Sequence, residues 1–218
     1  MTPDASRELR DLDRGLAEMG FAPKPEIREK FQKYLETLYQ YHHKIHLISH
    51  RDYERISRKH FLPSLGGLSF VPDRARVCDI GAGAGFPSLP IKIFKPRIEL
   101  TLFESVRKKA GFLERLTAEL GMIDVRVVCG RAEAERGVGY DRILIRASGR
   151  IRDLLATVRD LLAPGGRAVF YKGVNSDPEI ADARSRLASL GLRLGVQDVR
   201  IPLEPAPLRF VWVQSITA

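Results

Sequence analysis

Three glycines alternate with small residues directly after a short apolar stretch that contains an acid. The acid is Asp79, and the glycines are Gly81, Gly83 and Gly85. Glycine lets the backbone adopt positive φ and lets a ligand approach without a Cβ in the way. The pattern predicts a strand ending in a loop that holds a nucleotide-like molecule. A turn that serves only to reverse the chain is the alternative.

The charge beside this loop separates two classes of ligand. Dinucleotide-binding loops read GxGxxG and rest a pyrophosphate on the next helix, whereas this loop reads GxGxG. The Asp79 carboxylate would repel a pyrophosphate but suits S-adenosylmethionine, which carries an ammonium and a sulfonium and no phosphate. Glu104 ends the next apolar stretch, where a carboxylate can accept hydrogen bonds from ribose hydroxyls. Because NAD enzymes use a similar acid, Glu104 alone does not separate the two ligands.

The elements that would position these residues follow from the apolar pattern. From about residue 75, short apolar runs alternate with amphipathic stretches, which indicates βα units around a parallel sheet. The last two strands are joined by a segment with three prolines, too poor a helix for a crossover, so we expect an antiparallel hairpin. Strands are predicted at 76–80, 99–104, 124–128, 142–146, 168–171, 193–200 and 209–214, and helices at 87–93, 105–120, 151–162 and 178–190.

Helical spacing fills the first sixty residues, in two segments that Gly20 separates. This predicts a helical extension over residues 1–70 and a sheet domain over residues 71–218. Within the sheet domain, Ser105 is expected to cap the helix that follows it and Gly121 to end that helix.

Composition bounds the functional class. The 218 residues are 44% hydrophobic, enough for one core, and they contain neither a long apolar run nor a basic-then-apolar leader, so we expect a cytoplasmic protein. Cys78 and Cys129 lack CxxC spacing, which suggests reduced thiols. The net charge of +9 favours a polyanionic partner such as nucleic acid, although a solvated basic surface explains it equally well.

Several blocks in order resemble the RsmG (GidB) family, bacterial guanine-N7 methyltransferases of 16S ribosomal RNA. The blocks are 79–87 (Asp-Ile-Gly-Ala-Gly-Ala-Gly-Phe-Pro), 103–113, 131–133, 140–141, 146–147 and 171–173. The resemblance implies a class I S-adenosylmethionine-dependent methyltransferase, an α/β fold. Its αβα sandwich would have a seven-stranded, mostly parallel sheet and, in this chain, the N-terminal helical extension. It further implies S-adenosylmethionine as cofactor and 16S ribosomal RNA or the 30S subunit as partner, and we expect a monomer.

The resemblance also implies roles for individual residues. Glu104 would bind the ribose of the methyl donor, Ala132 and Glu133 its adenine, and Arg146 would lie at the mouth of the site. The full set of donor-binding residues implied in this way is Asp79, Gly81, Ala82, Gly83, Gly85, Phe86, Glu104, Ser105, Ala132, Glu133 and Arg146.

Methylation of guanine N7 needs little chemistry from the protein, because N7 already presents a lone pair. Positioning can supply roughly 7 to 11 kcal/mol in favourable cases. We therefore expect no acid–base pair, and we hypothesise that Arg146 and Lys172 orient the base or a flanking phosphate. An ion pair of these residues with Glu133 or Asp141 that fixes loops is the alternative.

The chain departs from the family pattern outside the donor loop. Family members usually carry Trp-Asn and Asn-Leu-Thr where this chain has Tyr41-His42 and 46–48 (His-Leu-Ile), and His-x-x-Asp-Ser where 60–64 reads His-Phe-Leu-Pro-Ser. Ser88 stands where a further glycine is common. These changes concern the substrate more than the cofactor. A methyltransferase of a small molecule or protein, and a noncatalytic RNA-binding module that keeps the fold, therefore stay open.

Two groups of polar residues remain. Arg107, Lys108 and Lys109 occupy the first turn of a predicted helix, where the helix dipole disfavours cations, so we hypothesise RNA phosphate contacts, with a solvated helix end as the alternative. The spacing of His42, His46 and His50 could place them on one helix face. No Cys or acid completes a ligand set there, so we predict no metal site and favour RNA stacking or surface exposure.

Overall fold

A seven-stranded sheet forms the centre of the computed structural model, which describes residues 4–42, 44–135 and 137–216. Its strand order is β3-β2-β1-β4-β5-β7-β6. The first five strands pair in parallel, and β7 lies antiparallel to both β5 and β6, which confirms the predicted mostly parallel sheet and its C-terminal hairpin. The strands are β1 (Arg76–Ile80), β2 (Glu99–Glu104), β3 (Val125–Cys129), β4 (Tyr140–Arg146), β5 (Leu162–Lys172), β6 (Leu192–Val199) and β7 (Leu208–Ser215).

Helices precede the sheet and alternate with its strands. They are α1 (Ala5–Glu18), α2 (Pro25–His42), α3 (Leu62–Leu65), α4 (Ser88–Phe94), α5 (Arg107–Glu119), α6 (Ile151–Leu161) and α7 (Asp177–Leu187), with a single π-helical turn, Ser57–Phe61, directly before α3. The Asp4 carboxylate caps α1 by accepting the backbone N–H groups of Ser6 at 2.9 Å and Arg7 at 3.1 Å. Gly20, at φ +79°, separates α1 from α2 as predicted. Within the described residues, no helix is long and apolar enough to cross a bilayer.

Hydrophobic cores lie on both faces of the sheet. On one face the helical extension shares a single cluster with the sheet, in which Leu12 and Phe31 join Leu100 and Leu144. On the other face α6 and α7 pack on side chains such as Ile143. The extension is therefore packed into the core of the sheet domain, and the boundary at residue 70 stays a prediction.

The helix predicted to start at Ser105 starts two residues later, at Arg107. Ser105 is not its cap. The N-cap residue is Val106, whose backbone N–H donates to Glu104 Oε1 at 2.8 Å. The acid at the end of β2 thus accepts a free backbone N–H in the turn that leads into the helix. Gly121 follows the end of this helix at φ +59°, as predicted.

Two further expectations need correction, and one element was not predicted. Residues 44–50 are not helical, so His46 and His50 lie in a loop and not on a face of α2, although their ring centroids are 5.7 Å apart. The side chain of His42 lies outside the described part of the chain. The π-helical turn before α3 was not predicted. Finally, β5 begins at Leu162, six residues before the predicted start, because the Pro-Gly-Gly stretch at 164–166 lies within the strand instead of forming a separate turn.

Candidate functional site

A cavity of about 520 Å³ opens at the carboxyl ends of β1, β2 and β4. The strand order reverses direction at β1, and ligands of open α/β sheets bind beside such a point. The volume is in the range of small-molecule sites. Its lining residues are Leu47, Ile48, Ser49, His60, Gly81, Ala82, Gly83, Ala84, Phe86, Glu104, Ser105, Lys109, Arg146, Ala147 and Ser148.

The glycine loop forms the floor of this cavity. The backbone N–H groups of Gly81 and Ala82 both donate to the Phe103 carbonyl, at 2.9 and 3.0 Å, which fixes the loop to the end of β2. Gly81 has φ +77°, and a Cβ there would lie 1.9 Å from Ser148 Oγ. Gly85 has φ +96° and does not line the cavity, because it packs inward, where a Cβ would meet the Tyr34 hydroxyl at 2.6 Å. The loop therefore requires glycine for close packing as well as for ligand access.

Glu104 connects the glycine loop to the turn that precedes α5. Its buried carboxylate accepts the N–H of Gly83 at 2.9 Å through Oε2 and the N–H of Val106 at 2.8 Å through Oε1. A carboxylate has about four lone-pair sites, so two remain for a ligand. The position and the spare acceptors fit a ribose diol.

Asp79 lies behind the loop instead of in the cavity wall. Its fully buried carboxylate accepts the Ser88 hydroxyl at 2.5 Å through Oδ2, whereas Oδ1 has no hydrogen-bond partner among the described residues. Burial raises the pKa of Asp79 to about 7, against the weaker opposing effect of the Ser88 hydrogen bond. Any influence on a ligand would therefore act across the loop, as a charge, and not through direct contact.

Arg146 is half-buried at the end of β4, and burial lowers its pKa. Its guanidinium donates to the backbone carbonyls of Lys59 at 2.5 Å and His60 at 3.5 Å. The ion pair with Asp141 considered above does not form, since that carboxylate accepts the backbone N–H of Arg76 at 2.7 Å. Arg146 thus spans two carbonyls at the π-helical turn.

Helix α1 fixes that turn from the far side. The buried Glu8 accepts the backbone N–H of Ser57 at 2.6 Å, and the Ser57 hydroxyl donates to the Glu8 carbonyl at 2.7 Å. Arg58 adds a bidentate pair with Asp11, at 2.7 and 2.9 Å. The extension therefore determines where the turn presents its carbonyls and the His60 ring.

His60 was not among the predicted site residues, yet its ring lines the cavity. It stacks on Phe86, with centroids 4.7 Å apart and planes 22° apart. Its Nε2 lies 3.6 Å from Asp52 Oδ2, close enough for an ion pair when the imidazole is protonated. Burial lowers the pKa of His60, and the imidazole in turn lowers the pKa of Asp52 to about 2. His60 is therefore a neutral ring beside an ionised carboxylate near neutral pH.

The remaining predicted residues divide into two groups. Lys109 lines the cavity, and Arg107 and Lys108 are exposed on the same first turn of α5. Lys172 does not line the cavity, because its ammonium is bound to Glu179 Oε1 at 2.7 Å and to the Gly149 carbonyl at 3.1 Å. Its role in orienting a base stays a prediction.

The two residues expected at the adenine also lie apart from the cavity. Ala132 and Glu133 line a separate depression of about 230 Å³ against α6. Their contact with an adenine stays a prediction.

Sequence reasoning missed part of the cavity wall, chiefly residues 47–49, His60 and Ser148. A signal existed for the first two, because 46–48 and 60–64 are family blocks in which this chain keeps Leu47 and His60. Of the positions that depart from the RsmG pattern, Ile48 lines the cavity, whereas His46 and Pro63 do not.

Comparison with known sequences identifies the family of the chain. The family model for rRNA small subunit methyltransferase G (GidB) matches residues 27–199. One curated relative, a ribosomal RNA small subunit methyltransferase G of Roseiflexus castenholzii, is 39% identical over 181 residues, which cover 80% of this chain and 77% of the relative.

Solved structures show the fold. A precorrin-6y C5,15-methyltransferase of Geobacter metallireducens superposes with a TM-score of 0.53 at 19% identity, covering 78% of this chain and 90% of that one. A ribosomal protein L11 methylase of Lactobacillus delbrueckii subsp. bulgaricus gives 0.56 at 16% identity, covering 71% and 77%. The fold is that of the class I methyltransferases, as the sequence predicted, and the chain belongs to the rRNA small subunit methyltransferase G (GidB) family.

Proposed function

We propose that this protein is an enzyme that transfers the methyl group of S-adenosylmethionine to N7 of a guanine in 16S ribosomal RNA. The observation that carries the proposal is the pairing of the buried Glu104 carboxylate with the Gly83 backbone at the floor of the cavity, in a chain of this family. The proposed site of action is the cytoplasm, where ribosomal RNA is found.

The donor site would be built from the glycine loop and β2. Glu104 has two acceptor positions left for ribose hydroxyls, and Gly83 can face a ligand because a Cβ there would meet no side chain within 4 Å. When bound, S-adenosylmethionine supplies an electrophilic methyl group on a sulfonium. Asp79, close behind the loop, favours a cation at this place by its negative charge when ionised.

The target site would adjoin the donor at Arg146. The guanidinium has five N–H donors, and the carbonyls of Lys59 and His60 accept from two of its nitrogens, which leaves donors for a guanine edge or a phosphate. Because guanine N7 is a free lone pair, no residue of the chain needs to remove a proton. The chain's contribution is to hold the base in line with the methyl group and to exclude water.

Contacts with the RNA backbone are proposed on the first turn of α5. Lys109 reaches the cavity wall, and Arg107 and Lys108 continue the positive charge outward from it. Cations at a helix N-terminus are electrostatically unfavourable by a few tenths of a kcal/mol each, so a polyanion over them would relieve that cost. The net charge of +9 agrees with a polyanionic substrate.

One observation favours a second function, methylation of a small molecule or protein. Leu47 and Ile48 bring apolar side chains to the cavity, where the family usually carries a threonine at the second position. An apolar wall suits a nonpolar substrate group better than a polar base edge.

Complementation separates the two functions. The chain would be expressed in a bacterium that lacks its own guanine-N7 methyltransferase of 16S ribosomal RNA, and nucleosides of the purified 16S RNA would be quantified by mass spectrometry. We expect 7-methylguanosine to return with the wild-type chain and not with Glu104→Ala. Folded protein that binds S-adenosylhomocysteine yet restores no 7-methylguanosine would exclude the RNA function and leave the second one.

A further inference from the structure

Three aromatic rings form a stack that runs from the protein core to the cavity. Tyr34 of α2 is fully buried and lies parallel to Phe86 of the glycine loop, with centroids 5.4 Å apart and planes 9° apart. Phe86 in turn stacks on His60 of the π-helical turn at 4.7 Å and 22°. His60 and Phe86 line the cavity, so the stack ends there.

We propose that the target guanine stacks on His60 and extends this column by one ring. The inference rests on the proposed function, because it assigns the position of the base in that reaction. Among the described residues that line the cavity, His60 and Phe86 are the two aromatic rings, and Phe86 is already stacked on two neighbours. His60 is therefore the ring at the cavity end of the column. Bases taken out of a helix are commonly held by aromatic side chains in this way.

A neutral His60 ring beside the Asp52 carboxylate can hold a base that becomes positive. Transfer forms a carbon–N7 bond with the N7 lone pair and breaks the carbon–sulfur bond, whose electron pair stays on sulfur, so the positive charge moves to the purine. The charged groups that face His60 are Asp52 in the preceding loop, with its carboxylate 3.6 Å from Nε2, Lys59 on the same turn and Arg146 on β4. A neutral imidazole backed by the Asp52 carboxylate accommodates a cationic purine, whereas an imidazolium would repel it.

Three substitutions of His60 separate stacking from polar contact. His60→Phe keeps an aromatic ring, His60→Asn keeps polar atoms without a ring, and His60→Ala keeps neither. The assay is methylation of 30S subunits that lack 7-methylguanosine, with the affinity for S-adenosylhomocysteine measured by calorimetry on each variant as a check of folding and of the donor site. We expect His60→Ala and His60→Asn to lower kcat/KM for the subunit by roughly 10- to 100-fold, the range that base stacking energies imply. We expect His60→Phe to stay within roughly fivefold of the wild type.

A binding readout complements turnover. 7-Methylguanosine 5′-monophosphate is fluorescent, and its emission would be followed while it is titrated into the protein saturated with S-adenosylhomocysteine. Stacking predicts quenching in the wild type and in His60→Phe, and its loss in His60→Ala.

The outcomes that overturn the assignment are distinct from those that overturn the proposed function. A wild-type protein inactive on 30S subunits would remove the RNA function itself. An active wild type with equally active His60→Ala, or a His60→Phe variant as impaired as His60→Ala, would remove the stacking role alone. Quenching that is absent, or the same in wild type and His60→Ala, would do likewise.

Discussion

The Tyr34 hydroxyl donates a 2.6 Å hydrogen bond to the backbone carbonyl of Ala84, and both residues are buried. The bond joins α2, in the helical extension, to the glycine loop, 50 residues later in the chain. The extension therefore helps to set the backbone conformation of the loop that forms the cavity floor, in addition to any contact with substrate.

Removal of this hydroxyl tests the link. Tyr34→Phe keeps the stacked ring but leaves a buried carbonyl unpaired, so we expect the free energy of unfolding to fall by about 1 to 3 kcal/mol. If about 1 kcal/mol of that loss comes from disordering the glycine loop, the ligand must restore that order on binding. The affinity for S-adenosylhomocysteine then falls roughly fivefold. Urea denaturation and calorimetry measure the two quantities. Tyr39→Phe is the matched control, because the Tyr39 hydroxyl is buried without a hydrogen-bond partner in the described structure. Equal effects of the two variants would contradict the link.

The raised pKa of Asp79 predicts a pH-dependent stability. Its folded-state pKa is about 7 and its ordinary value is 3.8, so the folded protein keeps a proton that the unfolded chain releases. The stability contributed by this group is therefore present at low pH and is lost as pH rises through about 4 to 7. We expect Asp79→Asn to become more stable relative to the wild type between about pH 5 and about pH 8, as measured by urea denaturation. The same substitution at the exposed Asp153 serves as control, and a difference between wild type and Asp79→Asn that is constant with pH would rule the effect out.

The same carboxylate predicts a difference between donor and product. S-adenosylmethionine carries a sulfonium that S-adenosylhomocysteine lacks, and an ionised Asp79 attracts this charge across the loop. We expect the affinity for S-adenosylmethionine, relative to that for S-adenosylhomocysteine, to rise as pH increases through about 7 and then to level off. Calorimetry with both ligands across this range measures the ratio, in which other titrating groups largely cancel. A ratio that is flat with pH, or the same slope in Asp79→Asn, would show that Asp79 does not sense the cation.

Much of the sheet could be predicted, because each strand is a short apolar run that can be recognised in the sequence. The bounds of β1 and β2 match the predicted ones, and those of β3 and β7 differ by one residue at each end. The acid Asp79 was placed in the cavity because of its position in the motif. The alternation of β1 gives another answer: Cys78 and Ile80 belong to the cluster under α6 and α7, so Asp79 points to the opposite face, toward Ser88 at the start of α4.

The π-helical turn could not be predicted from local sequence. Its geometry depends on Glu8, 49 residues earlier in the chain, and on Arg146, 87 residues after Lys59. Contacts between such distant residues override local helix preference, and π-helical turns are frequent at functional sites. The sequence therefore predicted the glycine loop and Glu104 but not the wall that carries His60.

The role of Glu104 can be tested by a substitution that preserves its size. In Glu104→Gln one acceptor becomes an NH₂ group, which would face the N–H of either Gly83 or Val106. The substitution weakens the hydrogen bonds that hold the glycine loop and removes an acceptor for the ribose hydroxyls. We therefore expect the affinity for S-adenosylhomocysteine, measured by calorimetry, to fall by at least about tenfold. Glu99→Gln, an exposed substitution at the other end of β2, is the control. Unchanged affinity in Glu104→Gln would place the adenosyl group elsewhere.

Two cations were proposed to orient the base, and the structure gives them different surroundings. Arg146 spans the carbonyls of Lys59 and His60 at the cavity, whereas Lys172 is bound to Glu179 outside it. In Arg146→Lys a single ammonium replaces the planar guanidinium and cannot hold the carbonyls of Lys59 and His60 in the same geometry. We expect kcat on 30S subunits to fall by roughly 100-fold, since small misplacements of a bound reactant have effects of that size.

For Lys172→Met we expect a smaller loss of kcat than for Arg146→Lys, together with a decrease of up to about 1 kcal/mol in the free energy of unfolding from the broken ion pair. Turnover and urea denaturation of both variants, with the affinity for S-adenosylhomocysteine as a check of the donor site, measure the contrast. If Lys172→Met lost more turnover than Arg146→Lys while remaining folded, Lys172 would have to leave Glu179 and reach the substrate during the reaction, and the orienting role would pass from Arg146 to Lys172.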